Sequence, residues 1–502
     1  MICTEIAPSL RHRRLLSSDR PDTRWHSAHL VGVCGSGMKA LAEYLIDLGW
    51  SVTGSDLQPP SLALQAMQRR GLRIHQGHND GFVPRDVDVV VYSPAVGPQN
   101  PERRLAERLE IRQMSYSEML GHLMQGRVGV CVAGTHGKST TTAMTAWCLQ
   151  YAGLSPSAVI GAELVDSGVS GWAGQGPHFV VESCEYQRNF LNLSPRFAAI
   201  LGIELDHFDC YGDLSELKAS FAEFAERVAA DGLVLVRGDC PSAVVAAKHS
   251  PARVESFSLD PAVGADWWAA DFRQTQGGTR FRIFYQGGFF AEVSLAVPGR
   301  HNVANALAAA ALAHHAGVDP EAVREGLAAF RGLRRRFQIV GSWRGVTLID
   351  DYAHHPTSVR AILRTARAQF GRRRLWCVFQ PHQASRTRHL MQQFAESLAS
   401  ADRVILVPVY MAREAPSDEA ETLSRALTDD VAKNGSDARF VSSLDQVVTT
   451  LEDEALPGDV VITMGAGDIT RIPHEFTGRV RRHSEEKHTA RSADLAESRW
   501  AG

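Results

Sequence analysis

The segment from Val128 to Thr142, VGVCVAGTHGKSTTT, constrains the chain more than any other. An apolar β run enters a glycine turn carrying Lys138 and Ser139, and a helical pattern follows. This strand, loop and helix order marks a site for a nucleoside triphosphate. Gly134 and Gly137 let the backbone turn tightly and aim N–H groups at phosphate oxygens, while the helix offers its positive end. Thr135, His136 and Thr140 lie in the same loop. Lys138 can neutralise outer phosphates, and the Ser139 hydroxyl can ligate Mg²⁺. The common pattern has glycine where this chain has Val132, so the loop is a compact GxxGKS variant. A turn that only capped a helix would explain neither the lysine nor the serine.

Composition sets the frame around this loop. A chain of 502 residues is expected to form about three domains, each with its own core. Lys+Arg 53 against Asp+Glu 56 gives a formal charge of -3, which argues against nucleic acid or an anionic membrane as partner. Negative substrates must then be met locally. The eight cysteines are scattered with no CxxC pair, which fits a reduced, cytoplasmic compartment. Arg11, Arg13 and Arg14 near the start precede no apolar core, so a secretory signal is not expected. No segment reaches the roughly 18 consecutive apolar residues of a membrane span; Val303 to Ala313 comes nearest. A soluble protein, monomer or homodimer, is expected.

Three blocks lie between two charged ends. Residues 1–24 lack apolar periodicity and read as a flexible leader. Residues 25–124 begin with HLVGV, CGSGM, KALAEYLIDLG and WSVTGSD, one βαβ unit, and continue with a strand around Val87 to Pro94 and a helix capped by Asn100 and Pro101. Residues 125–333 hold the phosphate loop, strands at Phe179 to Glu185 and Phe197 to Leu205, a β hairpin or small meander from Trp267 to Pro298, and an alanine-rich helix from His301 to Ala316. Residues 334–475 alternate again, with helices expected at Thr357 to Phe370 and Thr387 to Ala399. Residues 476–502 turn polar and basic and read as a disordered tail. The fold class is therefore α/β, with parallel sheets in the outer blocks.

The first glycine turn runs Gly32, Gly35, Gly37, which is GxxGxG and not the GxGxxG of dinucleotide binders. A phosphate or diphosphate at this helix start is expected, contacted by Gly35, Ser36, Gly37 and Met38, with Ser55 and Asp56 ending the next strand, where an acid can bind a ribose. In the second block, Glu182 and Glu185 end one strand and IELDHFD places Glu204, Asp206, His207 and Asp209 at the end of the next. In an open α/β sheet these strand ends face the ligand. Mg²⁺ takes oxygen ligands, so Ser139 and a carboxylate suffice, and a neutral His207 suits a second metal position.

The motifs HLVGVCGSGM, GSDL, GTHGKSTTTAM, ELDHFDCY, GRHNVANALAA, GLRRRFQ, DDYAHHPTSV, FQPHQASRTR and GAGDI, in that order, resemble the Mur ligases from about His29 to about Ile472. The resemblance implies three domains: Rossmann-like for a UDP-sugar, a central P-loop ATPase, and Rossmann-like for the incoming amino acid. It implies an ATP-dependent ligase that phosphorylates the lactyl carboxylate of UDP-N-acetylmuramate and lets the amine of L-alanine attack the acyl phosphate, a step in peptidoglycan synthesis. By the same resemblance Lys138, Glu182, His207 and Arg336 are catalytic, and Ser139 and Glu182 hold one Mg²⁺ and His207 a second. Asn302 meets adenine, Asp351 reaches the nucleotide from the third domain, and Tyr352, His354 and Arg386 form the amino-acid site.

Departures from the family pattern are specific. Gln383 stands where arginine is common, Cys34 replaces a frequent glycine, and Tyr116 replaces the arginine of an RAEM-like segment. Lys218 is the nearest lysine to the HxD motif, but Phe221 has the spacing of the lysine that some siblings carbamylate, so no carbamate is expected. ESCEYQ leans toward the sibling that attaches a recovered tripeptide to the same sugar, whereas FQPHQASRTR leans toward the alanine enzyme. Two other classes compete: a nicotinamide oxidoreductase, which would leave Lys138, Ser139, Glu182 and His207 idle, and a non-catalytic nucleotide-sugar-binding protein.

Overall fold

The computed structural model describes residues 25–478 apart from 276, 277, 413, 415 and 416. The expected leader, 1–24, lies outside the described residues, as does the chain after 478. Three sheets, one in each block, carry the architecture.

The first sheet is wholly parallel, in the order Arg73–Gln76, Ser51–Asp56, Ser27–Val31, Val89–Tyr92, Arg112–Ser115. Its strands grow outward from Ser27–Val31 on one side and then jump to the other. The order reverses at the carboxyl end of Ser27–Val31, where such sheets open a ligand crevice. The first glycine turn leaves from that point and enters the helix Ser36–Asp47.

The second sheet has ten strands. Its order is Gly288–Leu295, Gly278–Tyr285, Trp267–Thr275, Arg253–Ser258, Leu233–Arg237, Phe197–Ile200, Val128–Ala133, His178–Glu182, Ser157–Val159, Gly171–Trp172. Val128–Ala133 runs parallel between Phe197–Ile200 and His178–Glu182, with Val132 level with Glu182 and Ala133 level with Ile200. Their carboxyl ends therefore open side by side, and the phosphate loop starts between two acid-bearing strand ends. The expected meander is the antiparallel edge formed by the first three strands in that order.

The alanine-rich segment is the helix Arg300–His315, and every residue from Ala306 to Ala313 is fully buried. Its small side chains let it lie against the helix Lys138–Tyr151. The segment that came nearest to a membrane span is thus a core helix. Among the described residues no helix is long and apolar enough to cross a membrane.

The third sheet runs Gln338–Trp343, Val346–Asp351, Val460–Met464, Leu375–Phe379, Arg403–Leu406, Asp437–Phe440 and is parallel except for its first edge. One expected helix differs: Thr387 to Ala399 is two helices, Ala384–His389 and Met391–Leu398, broken at Leu390, whose φ of -112° and ψ of 17° leave the helical region. The carboxyl-terminal boundary also moves. Residues 471–478 are helical, and Phe476 is buried with its ring centroid 4.6 Å from that of Trp343, so the packed domain extends past residue 475.

Candidate functional site

The phosphate loop needs both of its glycines. Gly134 has φ +128° and a Cβ there would lie 2.9 Å from Leu201 N; Gly137 has φ +82° and a Cβ would overlap Asn305 Oδ1. Gly137 caps the helix Lys138–Tyr151, and the first helical bond runs from Thr141 N to Gly137 O at 2.9 Å. The N–H groups of Lys138, Ser139 and Thr140 therefore stand at an open helix start, suited to a phosphate. Thr142 Oγ1 donates to Lys138 O at 2.8 Å and ties down the first turn. Thr135 Oγ1 exchanges hydrogen bonds with the backbone of Glu204 at 3.0 and 2.9 Å, which fixes the loop to the neighbouring strand end.

Lys138 and the acids do converge, through a residue whose role sequence reading left unassigned. Lys138 Nζ donates to both oxygens of Glu185 at 3.0 and 2.9 Å and to Gly134 O at 2.6 Å. Burial works against the ammonium, but Glu185 outweighs it and raises the lysine further. The strand expected to reach Glu185 ends at Glu182, because residues 183–185 turn out of the sheet and place Glu185 against Lys138. Glu182 Oε2 accepts from Gly161 N at 2.9 Å.

His207 Nε2 lies 3.8 Å from Glu185 Oε1, the His207 backbone N–H donates to Asp206 Oδ1 at 2.8 Å, and the ring Nδ1 is buried without a hydrogen-bond partner. Burial lowers its pKa, so the ring is neutral and can act as a nitrogen donor. The set of a serine hydroxyl, a carboxylate and an unpartnered imidazole fits a divalent cation beside triphosphate oxygens.

The third block contributes directly. Arg336 Nη2 donates to Ser139 Oγ at 3.2 Å, and its guanidinium lies 4.9 Å from the ring centroid of Tyr352. Asp351 accepts from Phe337 N at 2.6 Å and Ala353 N at 2.7 Å, and burial pushes its carboxyl up to about 6 although Arg336 opposes the rise. Asp351 thus shapes the turn that carries Arg336. Arg386 Nε donates to Asp206 Oδ1 at 2.7 Å and Nη1 to His382 O at 3.1 Å. His354 lies beside Tyr352, ring centroids 5.2 Å apart, and burial with Arg386 nearby keeps it neutral. Gln383, with φ +69°, is buried and its Nε2 has no hydrogen-bond partner.

Asn302 is buried, donating to Pro298 O at 2.7 Å and accepting from Asn305 Nδ2 at 3.2 Å. Its side chain braces the turn before its helix. Asn305, inside the GRHNVANALAA motif but given no role there, is the residue that limits Gly137.

At the first glycine turn, Asp56 accepts from Cys34 N at 2.8 Å and Gln58 N at 2.9 Å, so it orders the loop. Burial and Asp56 push the Cys34 thiol up to about 12, which makes it a poor nucleophile. The helix start Ser36, Gly37, Met38 carries no acidic residue in its first turn, as an anion site requires. Ser55 is fully buried, its hydroxyl donating to Glu102 Oε2 at 2.5 Å, and the Met38 side chain is packed in the core. A Cβ on Gly37 would lie 2.9 Å from Tyr116 Cζ, so Tyr116 borders the turn.

Comparisons with known proteins fix the family. Residues 27–128 match the Mur ligase family catalytic domain, 132–313 the Mur ligase middle domain, and 335–467 the Mur ligase glutamate ligase domain. The chain belongs to the Mur ligase family. This Mur ligase is 40% identical over 455 residues to the UDP-N-acetylmuramate–L-alanine ligase of Salinibacter ruber, covering 90% of this chain and 94% of that protein. It is 37% identical to the enzyme of the same name from Clostridium novyi, covering 89% and 96%. Among solved structures it is similar to a UDP-N-acetylmuramate-alanine ligase from Thermotoga maritima, with TM-score 0.77, 27% identity and coverage of 91% and 99%. A murein peptide ligase from Psychrobacter arcticus gives TM-score 0.69, 25% identity and coverage of 90% and 98%. The Mur ligase three-domain architecture accounts for the three sheets.

Proposed function

We propose that this Mur ligase joins L-alanine to UDP-N-acetylmuramate at the expense of ATP, in peptidoglycan precursor synthesis in the cytoplasm. The supporting observation is the convergence of Lys138, Glu185, Ser139, Arg336 and His207 around one open helix start. A carboxylate must approach the terminal phosphoryl group while both are anionic, so fixed cations are the main requirement. Lys138 and Arg336 supply them from two domains, and docking of the third domain delivers Arg336 to the phosphate loop.

Ser139, Glu182 and His207 are the residues that would hold Mg²⁺, which when bound neutralises phosphate charge. The phosphoryl group leaves ADP as its P–O bond breaks and a new P–O bond to the substrate carboxylate forms. The deprotonated amine then attacks the acyl carbon; a C–N bond forms and the C–O bond to phosphate breaks. The helix start Ser36, Gly37, Met38 binds the diphosphate of the sugar nucleotide through backbone N–H groups, with Gly35 giving close approach. Gly134, Thr135, His136, Gly137, Ser139 and Thr140 surround the triphosphate of ATP, and Asn302 and Asp351 brace the adenine side and the third-domain edge. Tyr352, His354 and Arg386 line the amino-acid site, where Arg386 keeps Nη2 for a carboxylate while Asp206 holds Nε. Domain docking also keeps water from the acyl phosphate.

A tripeptide acceptor is the second reading. It is favoured by the ESCEYQ segment from Glu182 to Gln187, while Gln383, buried with an unpartnered amide, stands where the family commonly has arginine. The test is phosphate release from ATP and Mg²⁺ with UDP-N-acetylmuramate against L-amino acids and an L-Ala-containing tripeptide. Release stimulated by L-alanine above the other acceptors supports the first reading. Stimulation by the tripeptide alone supports the second, and release that no acceptor raises overturns both.

A further inference from the structure

Beside the phosphate loop, and separate from the Ser139, Glu182 and His207 set, the two larger domains share a second group of metal-ligating side chains. His136, Glu204 and His355 each point one ligand atom to a common place, and the three atoms lie within 4.8 Å of one another. His136 Nε2 is 3.4 Å and His355 Nδ1 3.8 Å from Glu204 Oε2. A tetrahedral zinc ion with bonds of about 2.0–2.2 Å needs ligand atoms roughly 3.3–3.5 Å apart. The two contacts to the carboxylate are close to that value, and the remaining contraction is between two imidazoles whose ring centroids are 4.7 Å apart.

We infer that His136, Glu204 and His355 form an interdomain site for a borderline divalent cation of the Zn²⁺ class, with a fourth position left to water. Two imidazoles and one carboxylate are a nitrogen-rich set that suits zinc and not magnesium. The surroundings are those of a built site. Ser358 Oγ lies 3.2 Å from His136 Nδ1, so that nitrogen can keep its proton while Nε2 faces the ion. Thr357 Oγ1 donates to Glu204 Oε2 at 2.6 Å, and Thr135 Oγ1 grips the Glu204 backbone.

His355 is buried: its Nδ1 accepts a 3.3 Å bond from Thr357 N that caps the helix, which a metal on that nitrogen displaces, and its Nε2 has no partner.

Two of the ligands sit on the central domain and one on the carboxyl-terminal domain, at the start of the helix Pro356–Phe370. The site is complete only when these domains are docked. Bound zinc therefore staples the closed arrangement and slows any turnover that requires opening.

The test uses the full chain with zinc chloride alone, in millimolar Mg²⁺ to occupy oxygen-rich positions, and needs no substrate. Zinc stoichiometry after equilibrium dialysis is compared for the wild type, Glu204→Gln and His355→Ala, with circular dichroism to check folding. Glu204→Gln preserves the side-chain size and a bond to Thr357 while removing the anionic ligand. The expected result is one zinc equivalent per chain lost in both variants, or held at least tenfold more weakly. In parallel, zinc slows proteolysis of the 331–337 connection in the wild type but not in Glu204→Gln. Equal zinc content in the wild type and folded Glu204→Gln overturns the site, as does zinc binding without protection of the connection. If His355→Ala fails to fold, Glu204→Gln alone decides.

Discussion

Arg386 and Asp206 are 180 positions apart in sequence and form a buried ion pair, Nε to Oδ1 at 2.7 Å, across the boundary between two domains. Burial opposes the Asp206 charge, but Arg386 outweighs it and keeps the carboxyl well below the usual range. Removing one partner of such a pair costs about 3–5 kcal/mol, because the other charge stays buried and unmatched. Here that cost falls on the docked arrangement. Asp206→Asn is expected to raise the radius of gyration in X-ray scattering and to lower kcat at least tenfold, the equivalent of about 1.4 kcal/mol in the barrier. Unchanged scattering and kcat would show that the pair does not control docking.

Lys138→Ala separates the two nucleotide sites. Loss of one preorganised charge aimed at a reacting oxyanion typically costs about 10²–10³ in rate. ATP-dependent phosphate release is expected to fall by that factor, while UDP-sugar affinity, measured by calorimetry, stays within about twofold because the sites lie on different sheets. Equal loss of both would contradict the division of labour.

Gly37 and Tyr116 are expected to be coupled. A Cβ at Gly37 would meet Tyr116 Cζ at 2.9 Å and the hydroxyl at 3.0 Å. Gly37→Ala should push the ring or the turn aside and weaken UDP-sugar binding by roughly tenfold, about 1.4 kcal/mol. Tyr116→Leu in the same chain should recover most of that loss by freeing the space. A double-mutant cycle in calorimetry that gives simple additivity would remove the clash as the cause.

Glu255 supplies a pH dependence of stability unconnected with catalysis. It accepts from Trp267 Nε1 at 2.7 Å and Tyr285 Oη at 3.0 Å and lies 2.9 Å from His315 Nε2. Burial opposes its charge, but these partners, His315 first, hold the carboxyl down to about 2 from a reference of 4.5. A carboxyl depressed on folding stabilises the fold above its unfolded pKa and loses that effect as pH falls through the window from about 4.5 to about 2. Glu255→Gln should therefore cost about 1–3 kcal/mol in urea unfolding at pH 7. The gap from the wild type should narrow from pH 5 to pH 3.5. A gap that stays constant with pH would mean packing and not charge.

The phosphate loop and the alternating strands were legible because each is local. Gly134, Gly137, Lys138 and Ser139 are contiguous, and apolar strands ending in acids announce a parallel sheet whose strand ends face one way. Glu185 was visible as an acid but not as the partner of Lys138, since that pairing depends on the chain leaving the sheet after Glu182. Asn305 lies inside GRHNVANALAA, but its role was hidden, because a helix interior gives no hint that one amide will press on a distant glycine. The burial of the Ser55 and Met38 side chains was hidden for a related reason: a motif locates the backbone, whereas burial decides which way each side chain points. The break at Leu390 was hidden because the residues on both sides of it favour a helix.

The double grip of Glu185 on Lys138 means that the ammonium charge is already answered from within. An arriving anion meets a lysine whose charge is partly shared with a carboxylate, so the Arg336 guanidinium beside Ser139 is the less encumbered positive group. Recognition then rests also on how many oxygens can reach backbone donors at once, so the loop filters by shape as well as by charge. Inorganic phosphate or sulfate, too short to span the turn, should be weak competitors even at high concentration.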